Sequence, residues 1–197
     1  MQKRTLATRK KLLDTAIKIF AVKGFHGASV DELAAGAGVN KQRIYAYFGN
    51  KQGLWDECLR EIFINMQQLT VDACEECKDD PAKLTGVLLA KYMSIHRSNP
   101  DFRRLLSWAN LEPDAGISSL PALDKEHGVL KEIFLKAQKL RAVPQHLSFE
   151  VYIFLLMSIS YFWNSNRKTL SQTLSGELFS QAGQQRLISE TIGVLTP

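Results

Sequence analysis

Apolar residues recur every three or four positions along most of the chain, which is the spacing of one face of an α-helix. No segment alternates apolar and polar residues in the way a half-buried strand does. The periodicity predicts helices at about residues 5–23, 30–37, 41–48, 51–77, 82–97, 100–111, 122–141, 144–166 and 180–195. Residues 112–120 and 168–179 are expected to be loops. The sequence therefore predicts an all-α protein of about nine helices.

Helix-ending and helix-capping residues mark the first boundaries. Gly24 is expected to end the first helix, because glycine enters the left-handed conformation at little steric cost. Ser29 and Glu32 have the spacing of a capping box, in which the hydroxyl accepts from the Glu32 N–H and the carboxylate reaches back to the Ser29 N–H. A second, short helix is therefore predicted to begin just after Ser29.

A tight turn is predicted between the second and third helices. Gly38 supplies the positive φ, and Asn40 caps the third helix. Three short helices with a glycine turn before the last one predict a helix-turn-helix, whose last helix enters the major groove of DNA. Asn50 is expected to cap the long fourth helix. Gly53 is an unusual residue for a first helical turn and is expected to loosen it by up to about 1 kcal/mol.

The third helix has three kinds of position at about 100° per residue. Ile44 and Phe48 point to the core. The residues that point outward are Gln42, Arg43 and Ala46, and the residues on the two flanks are Tyr45 and Tyr47. We predict that Gln42 and Arg43 read base edges while the tyrosine hydroxyls bind phosphates. Lys41 is predicted to reach either bases or the DNA backbone. The helix N-termini at Ser29 and Lys51 favour phosphate oxygens.

The distribution of charge agrees with a DNA-binding head. Residues 1–60 hold 11 Lys and Arg against 5 Asp and Glu, and residues 61–197 hold the other 14 against 15, so the net charges are +6 and −1. A positive field confined to the first third suits a polyanion partner and predicts salt-dependent binding. The basic residues expected to follow the DNA backbone or enter a minor groove are Lys3, Arg4, Arg9, Lys10 and Lys11.

The segment from Ile17 to Leu54 closely resembles the TetR/AcrR family of bacterial regulators. The tract Val-Asn-Lys-Gln-Arg-Ile-Tyr-Ala-Tyr-Phe-Gly-Asn-Lys, at residues 39–51, looks like the signature of that family. The resemblance implies phosphate contacts at Ser29, Tyr45, Tyr47 and Lys51, and base contacts at Lys41, Gln42 and Arg43. Beyond Leu54 the likeness is to overall layout, together with the stretch Asn-Pro-Asp-Phe-Arg-Arg-Leu-Leu that begins at residue 99.

The resemblance also implies two domains and a mechanism. Residues 1–55 form the DNA-binding head, and residues 56–197 form a helical effector-binding and dimerisation domain joined to it by the long fourth helix. A homodimer is expected on a palindromic double-stranded operator, and an unidentified small molecule releases the repressor by shifting the fourth helix.

Two sets of residues in the C-terminal part are candidates for these functions. Bulky aromatic residues mixed with polar groups are typical of a ligand pocket, and the pocket candidates are Tyr92, His96, Phe102, Trp108, Asn110, His127 and Trp163. The segment 144–166 is apolar almost all round, which is unusual for a surface helix. The interface candidates there and in the last helix are Phe149, Tyr152, Leu156, Ile159, Phe162, Leu187, Ile188 and Ile192.

Other functions have weaker support in the sequence. Cys74 and Cys77 leave open a redox-responsive regulator, and the apolar C-terminal helix leaves open a helical protein-interaction adaptor. No enzyme motif, cofactor site or metal site is predicted. The longest apolar stretch, 151–163, falls short of the roughly 20 residues that span a bilayer. Three cysteines without an export signal are typical of a cytoplasmic protein.

Overall fold

The computed structural model describes residues 2–112 and 124–196, and side chains within 5–112 and 128–196. The helices are α1 (Gln2–Gly27), α2 (Val30–Ala37), α3 (Gln42–Phe48), α4 (Lys51–Cys77), α5 (Leu84–Ser98), α6 (Pro100–Leu111), α7 (Asp124–Lys139), α8 (Phe149–Ser165), α9 (Arg167–Leu170) and α10 (Gln181–Leu195). Throughout these described ranges the chain contains no strand. The all-α prediction is confirmed.

Most predicted helices appear close to their predicted bounds, and the main difference is the start of α8. The helix begins at Phe149 rather than at residue 144, because the Ser148 hydroxyl accepts from the Val151 N–H at 3.2 Å and caps it there. The predicted loop at 168–179 contains the end of α9 and a 3-10 turn at Gly176–Phe179. The predicted loop at 112–120 lies outside the described residues except for Glu112.

The chain forms two compact units. The first unit takes its residues from Met1–Asn65 and Asn99–Ala122, and the second unit from Met66–Ser98 and Leu123–Pro197. α4 contributes its first part to one unit and its remainder to the other. Because α6 belongs to the first unit, the compact units do not coincide with the predicted functional division at residues 55 and 56, which stays a prediction.

The first unit is built on α1, against which both α2 and α6 pack. Its largest buried side chains are Leu12, Phe20, Leu33, Ile44, Leu54, Trp55, Leu59 and Ile62. The Trp55 ring stands edge-on to the Phe20 ring, with 5.0 Å between the centroids. Burial of this size in a small helical head fixes the orientation of α2 and α3 relative to α1.

The second unit has its own core, in which α5 packs along α8. The Thr85 and Tyr152 hydroxyls form a buried hydrogen bond of 3.0 Å between these two helices. The Phe134 ring of α7 contacts the Tyr152 ring, with the centroids 5.1 Å apart. Among the described residues, no helix combines the length and apolar character that crossing a membrane requires.

Candidate nucleic-acid interface

The turn between α2 and α3 has the predicted conformation. Gly38 adopts φ 65° and ψ 38°, and its N–H donates to the carbonyls of Ala34 and Ala35 at the end of α2. The Asn40 side-chain oxygen accepts from the Gln42 N–H at 2.9 Å. The left-handed glycine and the asparagine cap therefore set the angle at which α3 leaves α2.

The faces of α3 are distributed as the periodicity predicts. Ile44 is completely buried in the first unit, and the Phe48 ring is half-buried. The exposed positions of the helix and its start are Lys41, Gln42, Arg43, Tyr45 and Ala46, and Tyr47 is half-buried. A broad face with polar and aromatic side chains therefore faces solvent, on a helix held to the unit by its opposite side.

Two of the basic residues at this surface have internal partners. A guanidinium nitrogen of Arg43 donates to the Tyr47 hydroxyl at 3.3 Å, four residues along the same helix. The Lys41 ammonium lies 3.2 Å from the carboxylate of Asp31 on α2, and both side chains are well exposed. These contacts place the two cations along the surface of α3. Because exposed pairs of this kind contribute little free energy, both cations can readily exchange these partners for others.

The capping box at α2 forms only in part. The Ser29 hydroxyl accepts from the Glu32 N–H at 3.1 Å, as predicted. The Glu32 carboxylate forms an ion pair with Lys23 of α1 instead of reaching back to the Ser29 N–H. A cation nearby in space is a better partner for the carboxylate than a neutral amide. The reciprocal half of the prediction is therefore wrong, and Glu32 joins α1 to α2.

Lys51 has an internal position that the sequence does not reveal. Its ammonium donates to the Ala28 carbonyl at 2.9 Å and lies 4.4 Å from the centroid of the Phe25 ring. An ammonium has three N–H donors, so the bond to Ala28 uses only one of them. Lys51 thus joins the start of α4 to the segment just before α2.

Arg9 is also bound within the first unit. Its guanidinium forms an ion pair of 2.6 Å with Glu57 of α4 and lies 4.9 Å from the centroid of the Phe48 ring. Lys10 pairs with Asp14 one turn along α1. The side chains of Lys3 and Arg4 lie outside the described residues. Sequence reasoning assigned Arg9 to DNA and missed its partners, because Glu57 and Phe48 are distant along the chain.

The pocket candidates are divided between the two units. Tyr92, His96 and Trp163 lie in the second unit, where all three are buried. Those in the first unit are Phe102, Trp108 and Asn110, and the Asn110 amide is exposed and donates to the Leu106 carbonyl of its own helix. The side chain of His127 lies outside the described residues. The pocket stays a prediction for each of these residues.

Polar groups are concentrated in the interior of the second unit. The His96 Nδ1 atom lies 3.1 Å from the Ser160 hydroxyl, which donates to the Met157 carbonyl at 2.9 Å. The Trp163 indole nitrogen is buried and, within the described part of the chain, has no hydrogen-bond partner. Burial, with a smaller effect of Cys74, raises the pKa of Tyr92 to about 12. Sequence reasoning missed Ser160, which periodicity alone does not distinguish from a core position.

The interface candidates on α8 are mostly core residues. Phe149, Tyr152 and Leu156 are buried within the second unit, and the Phe149 ring packs on Phe134 at 5.6 Å. For these three residues the interface prediction is wrong, because they cover the core of their own unit. Phe162 is exposed, as are two residues that the prediction left out, Val151 and Phe154. The candidates that are partly buried are Ile159, Leu187, Ile188 and Ile192.

The cysteine pair is in an unreactive environment. Cys74 and Cys77 lie on α4 and are buried thiols. Burial, followed by the charge of Glu75, raises the pKa of Cys74. Burial, followed by the charge of Glu76, raises the pKa of Cys77 to about 11. Because the thiolate is the reactive form, these shifts oppose oxidation at neutral pH. Across the described residues, no group of three or more His, Cys, Asp or Glu side chains is placed to hold a metal.

The first unit contains a helix-turn-helix in which α3 presents polar and basic side chains, and the second unit is also helical. This combination defines a DNA-binding transcriptional regulator. Residues 12–58 match the model of the bacterial regulatory proteins of the tetR family, and residues 83–194 match that of the tetracyclin repressor-like C-terminal domain. The chain belongs to the TetR family of bacterial transcriptional regulators.

Several known regulators are similar to this chain over most of their length. The transcriptional repressor NicS of Pseudomonas putida is 29% identical over 175 residues, which are 87% of this chain and 82% of NicS. The regulator RutR of Escherichia coli K12 is 29% identical over 154 residues, 74% of this chain and 71% of RutR. Among solved structures, regulator SCO4942 of Streptomyces coelicolor superposes with a TM-score of 0.72 at 22% identity, over 96% of this chain and 98% of that one. That similarity shows a common fold.

Proposed function

We propose that this regulator is a repressor that binds a palindromic operator as a homodimer and leaves it when a small molecule binds the C-terminal domain, residues 56–197. The observation that carries the proposal is the exposed face of α3 with its polar and aromatic side chains. NicS and the Streptomyces coelicolor protein SCO4008, which is 33% identical over 58% of this chain, are both transcriptional repressors by name. A protein that acts on the bacterial chromosome works in the cytoplasm.

The DNA contacts divide by chemistry. Gln42 pairs with adenine and Arg43 with guanine, because these side chains match the donors and acceptors of those bases in the major groove. The groups that bind phosphates are the side chains of Ser29, Tyr45, Tyr47 and Lys51. Lys41 reaches bases or backbone once it leaves Asp31. The Arg43 contact to Tyr47 opens at the same time, so both residues turn from each other to their DNA partners.

Footprinting of the DNA beside the protein's own gene tests the proposal. Purified protein is added in the presence of excess non-specific competitor DNA. We expect protection of a two-fold symmetric site whose half-sites lie one helical turn, or a multiple of it, apart. A pattern without any protected site would contradict the proposal. A helical adaptor would give that pattern.

The exposed side of α8 is the proposed dimer interface. At about 100° per residue, Val151, Phe154 and Phe162 lie within about 80° of one another on the face opposite the core. Phe154 is 67% exposed and Phe162 is 55% exposed, which is costly for two rings on one helix face in water. A second copy of the helix covers this strip, and α10 adds Leu187, Ile188 and Ile192.

Light scattering after gel filtration measures the dimer. We expect the wild-type protein to elute at twice its chain mass of 22.2 kDa. Phe154→Glu combined with Phe162→Glu introduces charge into the strip and is expected to give a monomer. Leu140→Glu is the matched control, since Leu140 is 61% exposed but lies outside α8 and α10. A wild-type monomer at micromolar concentration, or a dimer that survives the double substitution, would contradict this interface.

Within the C-terminal domain, the part that lies in the second unit is the proposed effector site, because it holds polar groups within an apolar core. Ligand sites commonly combine apolar walls with a few such groups. The proposed contacts there are the Trp163 indole N–H, the Tyr92 hydroxyl and the His96 imidazole. α4 begins in the first unit and ends in the second, so a shift of α4 transmits binding from the effector domain to the head.

Thermodynamic reciprocity tests the effector mechanism. A compound that lowers operator affinity must bind more weakly to the protein–operator complex, and by the same factor. Calorimetric titration of an inducing compound into free protein and into the complex measures both affinities. Equal affinities for a compound that releases the operator would contradict the proposed coupling. The redox alternative at Cys74 and Cys77 is disfavoured by the raised pKa of both thiols.

A further inference from the structure

The backbone of α1 is interrupted at Gly24. This residue has φ 70° and ψ −178°, a combination that non-glycine residues rarely adopt. The next amide, the Phe25 N–H, donates to both carboxylate oxygens of Glu112, each at 3.0 Å. A charged acceptor from elsewhere in the first unit therefore binds the backbone where the regular part of α1 ends.

The end of α6 fits closely against this interruption. Glu112 directly follows α6, and Trp108 lies one turn earlier. A Cβ atom at Gly24 would lie 2.3 Å from Oε1 of Glu112 and 2.8 Å from the Trp108 ring. No side chain fits at Gly24 without displacing both residues. Glycine is therefore required at residue 24 for two reasons. Its backbone conformation excludes other residues, and a side chain there would prevent the end of α6 from packing against α1.

A short series of contacts leads from this bond to the start of the helix-turn-helix. The Phe25 ring packs against Trp55 of α4, with 5.7 Å between the centroids. It also lies below the Lys51 ammonium, which donates to the Ala28 carbonyl. Ala28 precedes Ser29, the residue that caps α2. The position of Phe25 therefore influences both Lys51 and Ser29.

We propose that Glu112 is a positioning residue for DNA binding. Its carboxylate fixes the Phe25 amide and, through it, the segment from Gly24 to Ser29 that precedes α2. Glu112 itself contacts no DNA. Operator affinity depends on it because the DNA-binding side chains are presented in one geometry only while α6 is bound to the end of α1, and pre-ordering of a binding surface lowers the cost of association.

Substitutions at Glu112 test the proposal on the footprinted operator fragment, with affinity measured by fluorescence anisotropy. Glu112→Ala removes the acceptor and is expected to weaken operator binding about tenfold. Glu112→Gln keeps one carbonyl acceptor and is expected to restore most of that affinity. Asp101→Ala is the matched control, since Asp101 is an acid of α6 that pairs with Arg104 on its own helix. It is expected to bind within about twofold of the wild type.

The Phe25 amide resonance in the NMR spectrum separates positioning from a general loss of structure. In Glu112→Ala the Phe25 signal is expected to shift and to exchange faster with solvent, while the amides of α2 and α3 remain dispersed. Gly24→Ala adds a Cβ atom that displaces the Glu112 carboxylate, so it disturbs the same bond between Glu112 and the Phe25 amide. The double variant is therefore expected to bind operator no more weakly than the weaker single variant.

Three outcomes would overturn the proposal. The first is a Glu112→Ala protein that has lost the Phe25 signature but binds operator within about twofold of the wild type. The second is a Glu112→Gln protein that binds as weakly as Glu112→Ala while its Phe25 resonance is native. The third is full additivity of the Gly24 and Glu112 substitutions. Should Glu112→Ala fail to fold, Gly24→Ala alone decides the question, because its added Cβ atom displaces the Glu112 carboxylate. A Gly24→Ala protein that has lost the Phe25 signature but binds operator within about twofold of the wild type would then overturn the proposal.

Discussion

Gly53 lies in the first turn of α4, where the chain has just left α3. A Cβ atom at this position would be 2.0 Å from the backbone oxygen of Phe48, which has no freedom to move aside. The Asn50 side-chain oxygen accepts from the Gly53 N–H at 2.8 Å, as its predicted role as a cap requires. The low helix propensity of glycine predicted only a loosened first turn, whereas the structure gives a steric reason for glycine at this position.

Gly53→Ala is therefore expected to destabilise the protein although alanine is the better helix former. Because the obstacle is backbone, we expect a loss of about 1–3 kcal/mol in the free energy of unfolding, measured by urea denaturation. Gly128→Ala on α7 is the control, since nothing lies within 4 Å of its added Cβ atom. That variant is expected to gain about 0.5–1 kcal/mol. A stabilised Gly53→Ala protein would contradict the steric account.

Asp31 is an acidic residue beside the DNA-binding face. Lys41 must leave its carboxylate before it reaches DNA, and the carboxylate itself repels phosphates. Asp31→Asn is expected to tighten binding to operator and to random DNA alike, by about two- to fivefold, the effect of one exposed ion pair. Filter binding on both DNAs measures it, with Asp80→Asn as the control, because Asp80 pairs with Lys83 in the second unit. Unchanged or weaker binding would show that Asp31 does not oppose the DNA contact.

Residue-scale features were predictable from sequence where their causes are local. Gly38 has the expected left-handed conformation and Asn40 the expected bond, because each acts on backbone within a few residues. Gly24 has the expected positive φ, but its ψ of −178° is not left-handed helical, and it interrupts α1 instead of ending it. The contacts of Lys51 with Ala28 and of Arg9 with Glu57 were not predictable, since the partners are 23 and 48 residues away. Nothing in the local pattern distinguishes a lysine that binds phosphate from one that also binds a carbonyl.

Capping determines where several helices of the molecule begin. The Ser29 hydroxyl caps α2 and the Ser148 hydroxyl caps α8, each by accepting the N–H three residues ahead. The predicted start of α8 at residue 144 was too early, because residues 144–148 are Pro-Gln-His-Leu-Ser and the last of them is the cap that begins the helix. A cap acts on hydrogen bonding, and hydrophobic spacing carries no information about it.

Replacement of each capping serine by alanine separates stability from DNA binding. Both Ser29→Ala and Ser148→Ala are expected to lower the free energy of unfolding by about 1 kcal/mol. Only Ser29→Ala is expected to weaken operator binding as well, since its hydroxyl lies at the proposed DNA surface. Thermal unfolding and anisotropy on the same samples check this. Equal operator affinities for the two variants would remove Ser29 from the DNA contacts.

α8 shows what periodicity does not determine at the scale of an element. The helix is apolar on two opposite faces, one that covers its own core at Tyr152 and Leu156, and one that is exposed at Phe154 and Phe162. The sequence correctly indicated more apolar surface than one face needs. It gave no means to decide which face belongs to the core, because that depends on where α5 and α7 lie.

At the scale of the whole molecule, the family signature and the division of charge were sufficient to predict a DNA-binding regulator. The return of α6 to the first unit was not predicted, because the Glu112 carboxylate binds an amide 87 residues earlier in the chain. A contact over that separation leaves no local pattern in a single sequence. The helices of the second unit were predicted as elements, except for the short α9 in the expected loop at 168–179, but their packing was not.

The central claim is that α3 reads DNA sequence through its exposed face. Its most direct test is the anisotropy of labelled operator and of a scrambled duplex at one fixed salt concentration, with wild-type protein and with alanine at Gln42, Arg43 and Tyr45 together. Because the contacts of Gln42 and Arg43 with bases are lost, we expect the operator affinity to be at least about thirtyfold weaker than that of the wild type. The affinity for the scrambled duplex is expected to stay within about threefold of the wild type. Undiminished discrimination between the two duplexes would contradict the claim.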